Sequence, residues 1–253
     1  MNNSLNRKNK SLVDFSVGRA GDMYKWYYLG LNKILGIDIE ESNIESLSQD
    51  VNSANMRLAE MKQHDTPQIA EWAKKTDIKF LVGDSSKNMI TDTTMVLSKY
   101  SQKLDNVKQS ELNSYGMGIM FFAVHYLFTS EEQVKNLFRN VSATVQDGGY
   151  FLITTLDGNL VYNKLKESES GELSAHMTDF KDTTRPTIKM WSIKMTDSLK
   201  SKGYDNLPSN YQYGFNNNVS VYVDSIGSEN TESLVHPALL VSIAKEMGFE
   251  LAP

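Results

Sequence analysis

The feature that most restricts how this chain can fold is a pattern repeated at three successive strand ends. Three short apolar runs, Leu12–Val17, Ile34–Ile39 and Ile78–Gly83, each give way to a glycine turn or an acid. The first enters Ser16-Val17-Gly18-Arg19-Ala20-Gly21, a turn of mostly small residues, and then a helix-like segment, Asp22–Leu29. The second closes on Asp38, and the third is followed by Asp84. Small residues in such a turn let a ligand approach the backbone, and the helix behind it presents unpaired N–H groups. An acid ending the second strand can accept hydrogen bonds from both hydroxyls of a ribose, and one after the third can accept from the exocyclic amine of adenine. Nucleotide sites in open α/β sheets lie beyond the carboxyl ends of the strands. Each feature alone is commonplace; the succession of glycine turn, acid and acid is what points to a nucleotide.

The rest of the chain continues the alternation. Ser42 opens a predicted helix with Glu45 in the capping-box position, and Ile44, Leu47, Val51, Ala54, Leu58 and Met61 recur at helical spacing. Met117–Val124 reads as a central buried strand. Glu131–Gln146 reads as a helix with Val134, Leu137, Phe138, Val141 and Val145 on one face, stopped by Asp147-Gly148-Gly149. Tyr150–Leu156 is the next strand. This order predicts an α/β fold with a mostly parallel sheet flanked by helices. Leu160–Lys166 reads as a helix, residues 168–186 as a polar loop or insertion, and Asn206–Asn218 as a further loop. Thr187–Ile193 and Val219–Asp224 read as strands, and Ser233–Met247 as a last helix with Gly248 as its C-cap. With no convincing linker, residues 1–253 read as one domain, residues 1–11 forming a flexible arm.

Composition narrows the function. The formal net charge of −5 argues against broad nucleic-acid binding by bulk electrostatics, so any RNA contact is local. Cysteine is absent, which excludes disulfides, thiolate catalysis and Cys-ligated zinc. The histidines at 64, 125, 176 and 236 have no ligand-like spacing, so no metal is expected. No apolar run approaches the roughly 18 residues of a membrane span, and the N-terminus lacks the apolar core of a secretory signal.

Several segments together resemble the eukaryotic and viral mRNA cap guanine-N7 methyltransferases. That family has a first motif close to LDLGCGKGGDLLKW, and Val13–Trp26 reads VDFSVGRAGDMYKW. Gly36-Ile37-Asp38-Ile39 and Asp84-Ser85-Ser86-Lys87 are similar to the family's next two elements. The discriminating stretch is Phe121-Phe122-Ala123-Val124-His125-Tyr126-Leu127-Phe128, close to a family motif near QFAxHYxF. Gly148–Gly158 is similar to the strand that follows, most like the large-virus members, and Glu232-Ser233-Leu234-Val235 looks like the family's EYLV element.

The resemblance implies a class I, Rossmann-like fold that binds S-adenosylmethionine and methylates N7 of the cap guanine. It implies that Asp14, Ser16 and Gly18 touch the methionine part of the donor, that Asp38 holds the ribose, and that Asp84 holds the adenine end, with Phe121 also in the donor site. Phe122, His125 and Tyr126 would line the guanine pocket, and Glu232 would accept from guanine N1 and N2. A carboxylate matches those two adjacent donors and favours guanine over adenine. No general base or nucleophile is implied, because N7 already carries a free lone pair and the sulfonium methyl is already activated. Taken without the resemblance, His125 beside Tyr126 reads as an ordinary core residue, and Tyr211, Tyr213 and Phe215 read either as an aromatic loop packing on the domain or as rings that stack on a base. The implied partners are capped RNA and a capping-enzyme domain or subunit. The implied location is the cytoplasm, with a viral factory or virion for a viral source and the nucleus for a cellular one.

The departures carry expectations of their own. Ser16 stands for a family glycine and Arg19 for a lysine; Phe121 stands for a glutamine, which removes one polar contact to the donor. About a dozen residues precede Asp14, with none matching a family lysine there, and the chain closes at Pro253, before further family strands. A shortened enzyme, a piece of a longer one, or a member dependent on a partner is expected, with weak activity in isolation and a sheet edge open to another chain. The alternatives are a methyltransferase with another acceptor and an inactive methyltransferase-fold subunit.

Overall fold

A computed structural model describes residues 10–45, 52–91, 107–177, 187–204 and 214–252. The chain gathers into two compact units, one of Met1–Phe121 with Asn136–Thr154, the other of Phe122–Lys135 with Thr155–Pro253.

The first unit holds a five-stranded sheet of β1 (Ser11–Asp14), β2 (Lys33–Asp38), β3 (Asp77–Val82), β4 (Tyr115–Phe121) and β5 (Val145–Thr154). Its order is β3-β2-β1-β4-β5, and every pairing is parallel. Parallel strands need crossovers, and those from β1 to β3 and from β4 to β5 are helical. α1 (Met23–Tyr28), α2 (Glu41–Ile44), α3 (Ala54–Lys62) and α4 (Pro67–Lys75) connect β1 to β3, and α5 (Glu131–Thr144) leads into β5. Alternation along the strands sends side chains to two faces. Leu12, Ile34, Ile78 and Met117 share a face with Trp26, Leu58, Met61, Ile69 and Ala73 from the helices. On the other face Phe151 meets Phe15 edge-on at 5.9 Å and Phe138 of α5 at 6.0 Å. Fully burying one such side chain contributes roughly 1.5–3 kcal/mol. This is the mostly parallel, helix-flanked α/β sheet that the alternation predicts.

Three helical expectations are corrected. The helix predicted from Ser42 is two helices. Asp38 accepts from the Glu40 backbone N–H (2.9 Å) and from Asn43 Nδ2 (3.0 Å), an Asx turn that fixes where α2 starts, so Ser42 lies inside it and is no cap. Glu45 is extended at φ −112°, ψ 133°, and α3 starts afresh at Ser53, whose hydroxyl accepts from the Met56 N–H. Leu47 and Val51 lie outside the described residues. α4 was not expected, although Pro67 in its first turn and Lys74 and Lys75 in its last are ordinary helix signals. The predicted helix Glu131–Gln146 ends at Thr144, where β5 already begins.

The second unit holds α6 (Gly158–Glu167), β6 (Glu172–Met177), β7 (Ile188–Met195), α7 (Asp197–Lys202), β8 (Asn218–Val223), β9 (Glu229–Ser233) and α8 (Pro237–Glu246). Its sheet has the order β6-β7-β8-β9 and is antiparallel throughout. Asp157 and Thr196 cap α6 and α7 with their side-chain oxygens. Two expectations change here. The polar loop expected at 168–186 contains β6, with residues 178–186 outside the described set. The last helix starts at Pro237 rather than Ser233, because Ser233 belongs to β9 and proline suits a first turn. Gly248, at φ +86°, follows that helix in the left-handed conformation a C-terminal glycine permits. The loop expected at Asn206–Asn218 is only partly described, and Tyr211 and Tyr213 lie outside the described residues. Phe215 is buried against Phe128 at 5.3 Å. Among the described residues, no helix is long and apolar enough to cross a membrane.

Candidate functional site

In the first unit, the carboxyl ends of β1, β2 and β3 are laced together by their own loops. Val17 N–H donates to Ile37 O (2.9 Å), Gly83 N–H to Asp38 O (2.8 Å), and Ser85 Oγ to Phe15 O (3.0 Å). Asp14, Asp38 and Asp84 therefore sit on three adjoining strand ends. Phe121 closes β4, next to β1 in the sheet, and is 37% exposed.

Each acid is fastened differently. Asp38 accepts from Gly18 N–H (2.8 Å) in addition to Glu40 and Asn43, so it ties the first loop to the second strand. Asp84 accepts from Ser86 N–H at 2.9 Å. Asp14 is buried and, among the described residues, receives only Ser16 N–H, at 3.0 Å. Burial pushes its carboxyl up to about 7; the Ser16 bond opposes this, and the charges of Asp22 and Asp38 add to it. A contrast lies at the amino end of the same sheet, where buried Glu111 is answered by Lys33 at 3.0 Å and Lys79 at 2.8 Å. Among the described residues no cation answers Asp14.

The loop above these acids is open. Gly18 has φ +53°, and a Cβ built there or at Gly21 would meet nothing within 4 Å. Ser16 Oγ is buried without a partner. An unanswered acid, an unpaired hydroxyl and an open glycine turn beside two further acids suit a ligand with an ammonium or sulfonium, a ribose and an amino-purine. These residues fit S-adenosylmethionine.

In the second unit, Phe122, His125, Tyr126 and Glu232 line one cavity of about 260 Å³. The run expected to be strand through Val124 stops at Phe121; Phe122 takes φ +51°, and Val124–Tyr126 form a short 3₁₀ turn. An aromatic residue in the left-handed region costs about 1–2 kcal/mol, so its neighbours must impose it. Phe122 is 62% exposed and Tyr126 53%. The His125 ring lies 4.0 Å from the Tyr126 ring, centroid to centroid.

Register places Glu232. In the β8–β9 pairing it stands opposite Val219, on the face that also carries Val221, Val223 and Ile193. Its Oε2 is 3.4 Å from His125 Nε2, close enough for an ion pair, yet the geometry makes no hydrogen bond and leaves the buried Nε2 without a partner. The titration of the two groups agrees with the unpaired reading. Burial lowers His125 to about 4 and raises the Glu232 carboxyl, the reverse of what an ion pair would do to both. The imidazole is neutral at pH 7. An apolar cavity this small, with one imidazole and one carboxyl lacking partners, suits a flat heterocycle with several polar edge atoms.

Three features escaped the sequence reading. Leu156 and Val221 complete the wall of this cavity. The first unit has a second cavity of about 320 Å³, lined by Tyr24, Arg57, Glu60 and His64 among others, with Arg57 Nε buried and unpartnered. Asn136 and Asn140 of α5 hold the Asp84 loop. None of these carries a signal beyond helical or strand spacing.

Residues 2–252 match the family model for the mRNA (guanine-N(7))-methyltransferase domain. The chain belongs to the mRNA cap guanine-N7 methyltransferase family. Members of this family use S-adenosylmethionine as methyl donor, and the chain carries their methyltransferase fold. It is 26% identical over 179 residues to a probable mRNA-capping enzyme of Acanthamoeba polyphaga mimivirus, covering 68% of this chain and 14% of that protein. It is 26% identical over 167 residues to mRNA cap guanine-N(7) methyltransferase 1 of Arabidopsis thaliana, covering 66% of this chain and 38% of that protein. A crystal structure of the PH0226 protein from Pyrococcus horikoshii OT3 superposes with a TM-score of 0.49 at 13% identity, covering 96% of this chain and 74% of that one. The chain thus spans well under two thirds of the curated relatives it matches.

Proposed function

We propose that this chain transfers a methyl group from S-adenosylmethionine to N7 of the guanine in the 5′ cap of mRNA. The observation that carries the proposal is the pair Glu232 and His125, whose side chains lack hydrogen-bond partners inside an apolar cavity faced by two exposed aromatics. Guanine supplies what they lack. Its N1–H and N2–H are adjacent donors that a single carboxylate can accept, whereas adenine offers no such pair to that geometry. Phe122 and Tyr126 present ring faces and edges to the flat base. In the first unit, Asp14 would hold the donor's ammonium, Ser16 and Gly18 its methionine backbone, Asp38 the ribose and Asp84 the adenine amine, with Phe121 packing on the donor.

When bound, S-adenosylmethionine supplies a methyl group already activated on a sulfonium. The chain's own work is then to orient, desolvate and exclude water. N7 needs no base, and a neutral His125 is suited to hydrogen bonding rather than proton transfer. Capped RNA is the proposed substrate. The match to part of a viral capping enzyme supports work beside other capping activities, on a shared polypeptide or with a partner subunit, wherever capping takes place: the cytoplasm or a viral factory for a viral source, the nucleus for a cellular one.

The test is Glu232→Gln. Replacing one acceptor oxygen with an amide puts a donor against a donor, and kcat/KM for capped RNA is expected to fall by about a hundredfold (~2.7 kcal/mol), while S-adenosylhomocysteine still binds in calorimetry. Unimpaired cap methylation by the variant would overturn the reading. No S-adenosylhomocysteine binding by the parent chain at millimolar ligand would favour a non-enzymatic subunit, and transfer only to some other acceptor would favour a different methyltransferase.

A further inference from the structure

The loop that carries Asp84 has no partner strand beyond β3, yet its backbone is held in detail by side chains from α5. Asn140 is fully buried, and it spends each of its hydrogen-bonding groups on this loop. Its Nδ2 donates to Lys87 O (2.7 Å) and Ser85 O (3.2 Å), and its Oδ1 accepts from Met89 N–H (2.9 Å). One turn earlier on the same helix face, Asn136 donates from Nδ2 to Ser86 O at 3.0 Å and accepts from Arg139 at 2.6 Å. Ser85 is then pinned from the other side by its own hydroxyl on Phe15 O. Asp84 takes its orientation from Ser86 N–H, so the residue that aims the carboxylate is itself held through its carbonyl by Asn136.

A buried amide is costly in a helix face otherwise filled by Leu137, Phe138 and Val141 unless its groups are matched. Here the match is to four backbone groups of one loop, which acts as a template for the loop's shape. We propose that Asn136 and Asn140 are positioning residues for adenine recognition, setting the place of the Asp84 carboxylate and so the selectivity of the site for adenine over other purines. The inference rests on the proposed role of Asp84.

A ligand pair separates this role from plain stabilisation. S-adenosylhomocysteine offers an amine at the purine 6-position, and S-inosylhomocysteine offers a carbonyl that a carboxylate repels. The ratio of their dissociation constants, read by calorimetry on the full chain well below the melting temperature, reports where Asp84 sits. Loss of packing alone lowers melting temperature without moving that ratio. In Asp84→Ala the preference for the adenosyl ligand collapses. In Asn140→Ala and Asn136→Ala it falls by at least about fivefold toward the Asp84→Ala value. If Asn140→Ala does not fold, Asn136→Ala, which removes a single bond to the loop, decides. A ratio unmoved by Asp84→Ala refutes the adenine role of Asp84 and the inference with it. A ratio that collapses in Asp84→Ala but stays at the parent value in Asn136→Ala, whatever the melting temperature does, overturns the inference alone.

Discussion

The two units treat the acids of their candidate sites in opposite ways. In the first, Asp38 and Asp84 are stitched into their own loops, and Asp38 alone receives Gly18 N–H, Glu40 N–H and Asn43 Nδ2. In the second, Glu232 stands among valines with no side-chain hydrogen bond among the described residues. The strand-end acids are thus part of the architecture as well as of the candidate site, whereas the cavity acid is carried at a cost that the proposed ligand would offset. Acids of the first kind should couple binding to stability, and the second kind should trade one against the other.

The sharpest way to break that contrast is a pair of substitutions read by denaturation. Asp38→Ala removes three hydrogen bonds and is expected to lower unfolding free energy by about 3 kcal/mol and weaken donor binding together. Glu232→Leu removes an unmatched polar group from an apolar wall and is expected to raise stability by about 1 kcal/mol while abolishing cap methylation. Equal destabilisation by both would erase the distinction.

Asp14 is intermediate, since it is buried like a structural acid but unanswered like Glu232. Its folded value near 7 lies above its ordinary 3.8, so the folded chain takes up a proton between those limits. Stability of the free protein therefore falls as pH rises through that window, while affinity for the donor's ammonium grows over the same range. Calorimetry with S-adenosylhomocysteine should show the dissociation constant weakening by up to about tenfold per pH unit below 7, and Asp14→Asn should flatten the profile. The smallest effect belongs to His125. With a value near 4 it stays neutral across the neutral range, so single-turnover methylation rates should show no limb from this residue between pH 5 and 8 once the Asp14 contribution is removed with saturating donor. A limb near 6 would show a protonated imidazole at work.

Much of this was legible before any coordinates. Asp14, Asp38 and Asp84 could be read as strand-end residues because strand ends followed by turns are local events, and a mostly parallel sheet follows once strands and helices alternate. Legibility failed where partners at long range decide. β9, Glu229-Asn230-Thr231-Glu232-Ser233, has no apolar alternation, and β6 has little; both are strands because a neighbour pairs with them at the edge of the antiparallel sheet. The apolar run through Val124 looked like a longer strand because nothing in its composition announces the left-handed turn at Phe122. Asn136 and Asn140 were invisible for the same reason, since a buried asparagine means nothing until the backbone groups it satisfies, four for the pair together, are known.

One consequence of the β8–β9 pairing concerns how such a protein can diverge. Glu232 reaches the cavity only because Val219 is its cross-strand neighbour, and the hairpin joining them is the connection from Asp224 to Ser228. A slip of β9 by one residue against β8 turns the strand over and sends the carboxylate to the opposite face, whereas a slip of two keeps it inward. Among descendants of this sequence, a single-residue insertion inside β9 ahead of Glu232 should therefore be rare, while the connection before the strand is free to change in length.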